Sequence, residues 1–551
     1  MSRGGVPGKL RDSRVTPLTF RERLAAAIRG KVPLCPPPAG IRAHAANYSE
    51  FILTIAAAGH TRPRPHTQVI SIQTSDPCPP DTSGTATPAH TNVEEHRRAI
   101  TRGVSLLTGD PRVAIRKLSG PMILAMLLMS LYNLADAVWV AGLGPGSLAA
   151  VGFITPLFMI FIGLGNGLGA GVASAVARHI GAQNRKEAEN AAVHGILIGM
   201  AIAAVLTLPL VIFAEPIAAL LGAGEVTPIA AEYGRIIFAG AAFILFNTIA
   251  YAILRGEGDT KRTMYAMAAS SILNVILDPL LIYGAGWGIA GAAIATVISM
   301  ALVSIVILYW FVIKKDTYLS ISPRIFVPER GITGDILRVG LPASVEFLLM
   351  SVLGVIINAV LVMVATIDAV AVYTSGWRLV MFAVIPVIAI STTLISVIGA
   401  AYGARNFDHL KAAHAYAIRL GTAISAVMAV GIFLCAPQIA FLFAYTESMA
   451  SLAPRIALFM QAITILLVFI PAGMMSLSVF QGTGRGMVSL LINVFRMLAF
   501  VLVFVYIFGI YLGYGEVGVW AGIILGNIIG SGIAYFWARV YVSRLVAVVQ
   551  E

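Results

Sequence analysis

Asp278 lies in the apolar run Ser270-Ser271-Ile272-Leu273-Asn274-Val275-Ile276-Leu277-Asp278-Pro279-Leu280-Leu281-Ile282-Tyr283. Its neighbours make that run a bilayer-crossing helix, where an ionised carboxylate costs several kcal/mol even on the mildest insertion scales. Asn274 falls one turn earlier on the same helical face, and Pro279 deprives the Val275 carbonyl of its usual amide partner. A carboxylate, an amide oxygen and a freed carbonyl on one face suit a proton or a cation such as Na⁺. Two more residues reach the same depth. Asp136, in Leu131-Tyr132-Asn133-Leu134-Ala135-Asp136, sits near the outer end of the first apolar run, and Thr296 follows the turn Gly284-Ala285-Gly286-Trp287-Gly288 by about ten residues. At ~1.5 Å of rise per residue Asp278 lies ~12 Å below the outer end of its helix, level with Thr296 across the hairpin. Asp136, Asn274, Asp278 and Thr296 therefore form a candidate H⁺ or Na⁺ site. Two carboxylates close together in low dielectric must share a proton or a cation, and neutralising them would change the bend at Pro279. Glu346 and Arg496 enter their spans to similar depth and read as an ion pair or as substrate contacts; Asn247 and Tyr132 are further candidate contacts.

The elements that must position these groups are membrane helices. Of 551 residues, 58% are hydrophobic and 12% charged, with mean hydropathy +0.86; a soluble domain carries about 25% charged residues. Twelve apolar runs follow Arg116, roughly 118–141, 150–177, 188–213, 230–254, 262–283, 287–313, 334–364, 370–400, 411–436, 454–480, 487–511 and 516–541, each near the ~20 residues that cross a bilayer. Their connections alternate in charge. One side collects Arg112, Arg116, Lys117, Arg178, Arg185, Lys186, Arg255, Lys261, Arg262 and their later equivalents, while the other carries Arg235 and Arg455 beside Glu215, Glu225, Asp368, Glu447 and Glu516. The positive-inside rule then predicts that both termini are cytoplasmic. The formal charge of +12 needs no nucleic acid to explain it.

The chain repeats itself. Leu118-Ser119-Gly120-Pro121 is echoed by Val339-Gly340-Leu341-Pro342, Gly181-Ala182-Gln183-Asn184 by Gly403-Ala404-Arg405-Asn406, and Arg255-Gly256-Glu257-Gly258-Asp259 by Gln481-Gly482-Thr483-Gly484-Arg485. Six spans per repeat return the chain to its starting side, so the halves are parallel and related by an axis along the membrane normal. The expected fold class is an all-α polytopic membrane protein of two six-helix bundles, with an N-terminal bundle over 103–325 and a C-terminal one over 326–551. The repeat also supplies a control: the positions matching Asp136, Asn274 and Asp278 are Ile357, Phe500 and Phe504. The acids are no requirement of the bundle.

Several classes are excluded or disfavoured. There is no phosphate-binding Gly-x-x-x-x-Gly-Lys-[Ser/Thr] loop and no His-Glu-x-x-His, so neither an ATPase nor a metalloenzyme is expected, and no cofactor. Cys35, Cys78 and Cys435 are too scattered for a disulfide framework. His179 and His194 read as bystanders beside a loop. Residues 1–102, which hold 12 of the 27 prolines, show no readable core and read as a disordered extension or a misassigned start. Phe20–Ile28, with Arg21, Arg23 and Arg29, has the look of a short basic amphipathic helix or a transit peptide.

From Gly103 to Arg544 these motifs together resemble the multidrug and toxic compound extrusion (MATE) transporters, in particular their prokaryotic DNA-damage-inducible branch. The segments that carry the likeness are Tyr132-Asn133-Leu134-Ala135-Asp136, Leu254-Arg255-Gly256-Glu257-Gly258-Asp259-Thr260-Lys261, Asn274-Val275-Ile276-Leu277-Asp278-Pro279 and Gly291-Ala292-Ala293-Ile294-Ala295-Thr296. The resemblance implies a plasma-membrane antiporter, expected as a monomer, that expels organic cations or amphiphiles in exchange for H⁺ or Na⁺ bound at Asp136, Asn274, Asp278 and Thr296. A lipid or lipid-linked saccharide flippase of the same superfamily is the alternative, kept open by Arg378, Arg419 and Arg496. A passive channel is a weaker one.

Overall fold

In the computed structural model, residues 101–322, 326–443 and 450–550 are described. The expectations for the N-terminal extension fall on residues outside that set, apart from Thr101 and Arg102. All described residues belong to one compact unit, Ala86–Glu551, which holds both halves of the repeat.

Twelve membrane passes are present if one bent helix pair is counted as a single pass. The first half contains Pro111–Ala141, Pro145–Gly181, Arg185–Ile212, the pair Thr227–Ala239 and Ala241–Gly256, Thr260–Pro279, and Gly288–Leu308. The second contains Arg330–Val364, Ile367–Gly403, Phe407–Phe443, Ala453–Gly482, Gly486–Tyr511 and Gly515–Gln550. We number them as spans one to twelve. No strand occurs among the described residues. The fourth span, expected to be continuous over 230–254, is broken by 46° at Gly240, where Val297 of the sixth span comes so close that a Cβ would collide with its methyls.

The repeated motifs are the corners of the bundle. After the second span Gln183 takes a left-handed conformation (φ 59°), and Asn184 caps the third by accepting from the Glu187 amide at 3.4 Å. After the eighth, Arg405 does the same (φ 54°) and Asn406 accepts from the His409 amide at 3.1 Å. A capped, left-handed corner satisfies the free amides of the incoming helix. Gly258 and Gly484, both at φ 81°, close the turns before spans five and eleven. A π-helical turn ends the fifth span at Leu280–Gly284, and another ends the eleventh at Tyr506–Tyr511. The second matches the first in the repeat but has no proline before it. The irregularity beside Asp278 therefore belongs to the bundle, not to Pro279 alone, and this revises the expected proline-driven bend.

The halves meet along their Arg/Lys-rich face. Gly181 lies against the Ala400 carbonyl and Gly403 against the Arg178 carbonyl, each so close that a Cβ would fall inside the 3.0 Å that real Cβ atoms keep. These contacts are exchanged by the repeat, since 178 and 181 match 400 and 403. Ser174 donates to the Gln481 carbonyl at 2.6 Å, and Arg178 spans Ser174 at 2.7 Å and Asp335 at 3.2 Å. Contact continues to mid-span, where Met122 and Ala125 pack on Ala389. On the acidic side, Leu131, Leu134 and Val138 of the first span are more than half exposed.

The linker between the halves is strapped to the first one. Glu257 accepts from the Leu319 amide at 3.1 Å and Glu189 from the Ser320 amide at 3.0 Å. Asn190 takes both backbone groups of Val327, and His194 Nε2 accepts from the Glu329 amide at 3.3 Å. His194 is thus a linker anchor and not a bystander.

Candidate cation-coupling site

Three local features build the site. Gly286 (φ 72°) and Gly288 (φ 55°) reverse the chain between spans five and six. Gly291 then lets the sixth span approach so closely that a Cβ would sit 2.7 Å from the Leu281 backbone. That approach sets Thr296 beside Asn274. The first span is fastened to the fifth at its end: the Tyr283 hydroxyl donates to the Trp139 carbonyl at 2.6 Å, and Val140, Ile282 and Ala292 form a buried apolar knot. Asp136 lies three residues before Trp139 and Asp278 five before Tyr283, so this clamp holds the two acids face to face.

Asn274 is the hub. Its Nδ2 donates to Asp278 Oδ1 at 3.2 Å and to Thr296 Oγ1 at 3.2 Å. Thr296 also donates to the Ala292 carbonyl at 3.2 Å, so it bonds its own backbone and serves the cluster at once. Asp278 is fully buried, Asn274 nearly so, and Asp136 half-buried. The Asp136 and Asp278 carboxyls are close enough to interact electrostatically. Asn274 Oδ1 and Asp278 Oδ2 are buried and take no donor. Buried oxygens normally find partners, and leaving one without costs about 1–3 kcal/mol. Unpartnered oxygens next to two carboxyls fit a shared proton or a hard cation that prefers oxygen ligands. Among the described residues no group of three or more His, Cys, Asp or Glu could hold a metal.

Tyr132 and Tyr233 lie within electrostatic reach of both acids. Tyr132 was expected; Tyr233, in the upper half of the bent fourth span, was not, because its position depends on the break at Gly240. Asn247 is a staple, donating to the Met300 carbonyl at 2.9 Å and accepting from Ser304 at 2.9 Å.

Glu346 and Arg496, expected either as an ion pair or as substrate contacts, form no ion pair. Glu346 accepts from Ser489 at 2.8 Å and Gln481 at 3.2 Å, whereas Arg496 donates to Asn493 at 2.8 Å from within a π-helical turn, Phe495–Phe500. Equal depth set their height, but not the direction in which each faces. Arg378 and Arg419 are exposed while Arg496 is buried. At the places matching the acids, Ile357 is buried and Phe504 stacks on Phe508.

The MatE family model matches residues 121–280 and 342–507, one stretch in each half. The chain belongs to this family. The multidrug export protein MepA of Staphylococcus aureus is 30% identical over 271 residues, covering 49% of this chain and 60% of that protein. MepA of Staphylococcus saprophyticus is 31% identical over 266 residues, 48% and 58% of the two chains. The chain thus spans about 60% of the length of these curated MatE relatives. Among solved MatE structures, a MATE protein in complex with MaL6 shares 43% identity with TM-score 0.79, covering 81% of this chain and all of that one. An outward-facing multidrug resistance MATE transporter shares 44% at TM-score 0.79, over 81% and 99% of the two chains.

Proposed function

We propose that the protein is a secondary antiporter that exports organic cations or amphiphiles in exchange for H⁺ or Na⁺, from the plasma membrane and as a monomer. The observation that carries the reading is the cluster of Asn274, Asp278 and Thr296 beside half-buried Asp136, with two buried oxygens that take no donor. Its restriction to the first half, together with a tenth span free of acids, favours the DNA-damage-inducible branch. The basic face is cytoplasmic on the positive-inside rule. The halves close on that face, so the conformation is outward-open, in keeping with the likeness to an outward-facing relative.

In this state the cluster faces the extracellular side. Loading a proton or Na⁺ between Asp136 and Asp278 removes their mutual repulsion and gives the open oxygens of Asn274 and Asp278 a partner. Relief of that repulsion tightens the first span against the fifth, changes the shape of the first bundle and displaces the organic cargo. The test is uphill efflux of a fluorescent organic cation from proteoliposomes under an imposed ΔpH or Na⁺ gradient. Retention of full gradient-driven efflux by both Asp136→Asn and Asp278→Asn would refute the reading.

A further inference from the structure

The Arg255 side chain forms no ion pair. Arg255 ends the lower half of the fourth span, is 9% exposed, and its guanidinium makes no hydrogen bond among the described residues; its Nε is buried and bare. The nearby carboxylate of Glu257 is turned away to the Leu319 amide. A charge buried without a partner is destabilising, so its retention at the basic end of the span calls for a reason.

Its place explains it. The guanidinium runs along the second span into the space that Gly169 leaves open, with Nη2 3.9 Å from where a Cβ would stand. Tyr251, one turn above on the same face, packs where Met122 and Ala125 of the first span, Met267 of the fifth and Ala389 of the eighth meet. Tyr251 is within electrostatic reach of both Arg255 and Tyr132, and Tyr132 of Asp136 and Asp278. Along the first span, Ala125, Tyr132 and Asp136 recur at seven- and four-residue steps on one face. Asp136, Tyr132, Tyr251 and Arg255 therefore stand in file down the inside of the first bundle, from the acid pair to the basic face, with apolar Met122, Ala125 and Met267 packed about Tyr251.

We propose that this file is the inward leg of the coupling-ion path, and that Arg255 is its electrostatic plug, a fixed positive charge that keeps the cation held at Asp136 and Asp278 from leaking to the cytoplasm. The proposal rests on the coupling-site reading above. In low dielectric a like charge repels a passing cation far more strongly than in water, so one guanidinium across a narrow file suffices as a barrier. The cation must wait until the bundle rearranges and moves Arg255 aside, which ties ion release to cargo movement.

The variant Arg255→Met keeps the volume and removes the charge. Because it deletes an unpartnered buried charge, it is expected to fold with equal or greater thermal stability. Proteoliposomes containing no organic cargo, with trapped pH dye or ²²Na⁺, should show passive ion leak raised by roughly tenfold or more in Arg255→Met and Arg255→Gln. Arg255→Lys should stay tight, and adding Asp278→Asn to Arg255→Met should restore tightness. Wild-type leak in both neutral variants, or a leak in Arg255→Met that persists with Asp278→Asn, overturns the proposal. If Asp278→Asn alone abolishes driven efflux while both neutral variants stay tight, only the plug fails. If Asp278→Asn still transports uphill, the underlying site reading fails.

Discussion

Two glycines carry the closure of the basic face, and replacing them by alanine should open it. Gly181 and Gly403 each abut a backbone carbonyl of the other half, Ala400 and Arg178, at a distance no Cβ can occupy. Neither has positive φ, so alanine is tolerated by the local backbone and strengthens the helix end in both states by about 1 kcal/mol. That gain cancels between conformations. What does not cancel is the overlap, because a carbonyl in a helix cannot retreat as a side chain would. Overpacking of this kind costs about 1–3 kcal/mol per site, and since ~1.4 kcal/mol is tenfold in an equilibrium, each alanine should move the open-to-closed ratio of the basic face by roughly five- to a hundredfold. The two contacts are related by the repeat and break in the same motion, so the double variant should move it further. Spin labels at Lys186→Cys and Asp408→Cys, both exposed, in a background with Cys35, Cys78 and Cys435 replaced, report the separation of the halves by pulsed electron resonance. A longer-distance population should appear in Gly181→Ala, in Gly403→Ala and most in the pair. Gly354→Ala and Gly431→Ala, whose Cβ atoms meet nothing within 4 Å, should leave the distances as in wild type. Unchanged distances in the Gly181→Ala/Gly403→Ala protein would mean that these two contacts do not hold the basic face closed.

Three further outcomes are expected. Asn274→Leu removes the donor to Asp278 and Thr296, at about 1.5–3 kcal/mol for a bond to a charged group; the coupling-ion concentration giving half-maximal efflux should shift by at least tenfold with the protein still folded. Tyr283→Phe loses the 2.6 Å bond to Trp139 and loosens the Asp136–Asp278 approach, so efflux should slow severalfold while unfolding is destabilised by about 1 kcal/mol. Glu257 lies outside the spans, and burial pushes its carboxyl up from 4.5 to about 8. A raised carboxyl contributes stability that is complete below about pH 4.5 and lost as pH rises through about 8. The thermal midpoint of the purified protein should therefore fall across that window, and Glu257→Gln should flatten the slope.

Much of this was legible in the sequence because hydropathy, loop charge and the repeat all report on the same bundle. The twelve passes and the proximity of Asn274, Asp278 and Thr296 need only depth and helical spacing. Azimuth was not legible. Glu346 and Arg496 share a depth yet turn to Ser489 and Asn493, because a π turn alters the helical phase at Arg496. Tyr233 reaches the acids only because the fourth span breaks at Gly240, and the signal that could have found it was a glycine in mid-span facing another helix. The role of Glu257 was hidden for a different reason: its partner, the Leu319 amide, is 62 residues away in a linker with no periodicity.

In the proposed antiporter Asp278 carries the coupling ion. The most direct measurement is uphill efflux of a fluorescent organic cation from proteoliposomes holding wild type or Asp278→Asn, with ΔpH and Na⁺ gradients imposed separately. Wild type should accumulate or expel the dye under at least one gradient, and Asp278→Asn, purified to equal stability, should do so under neither. Gradient-driven efflux by Asp278→Asn at the wild-type rate would contradict the account.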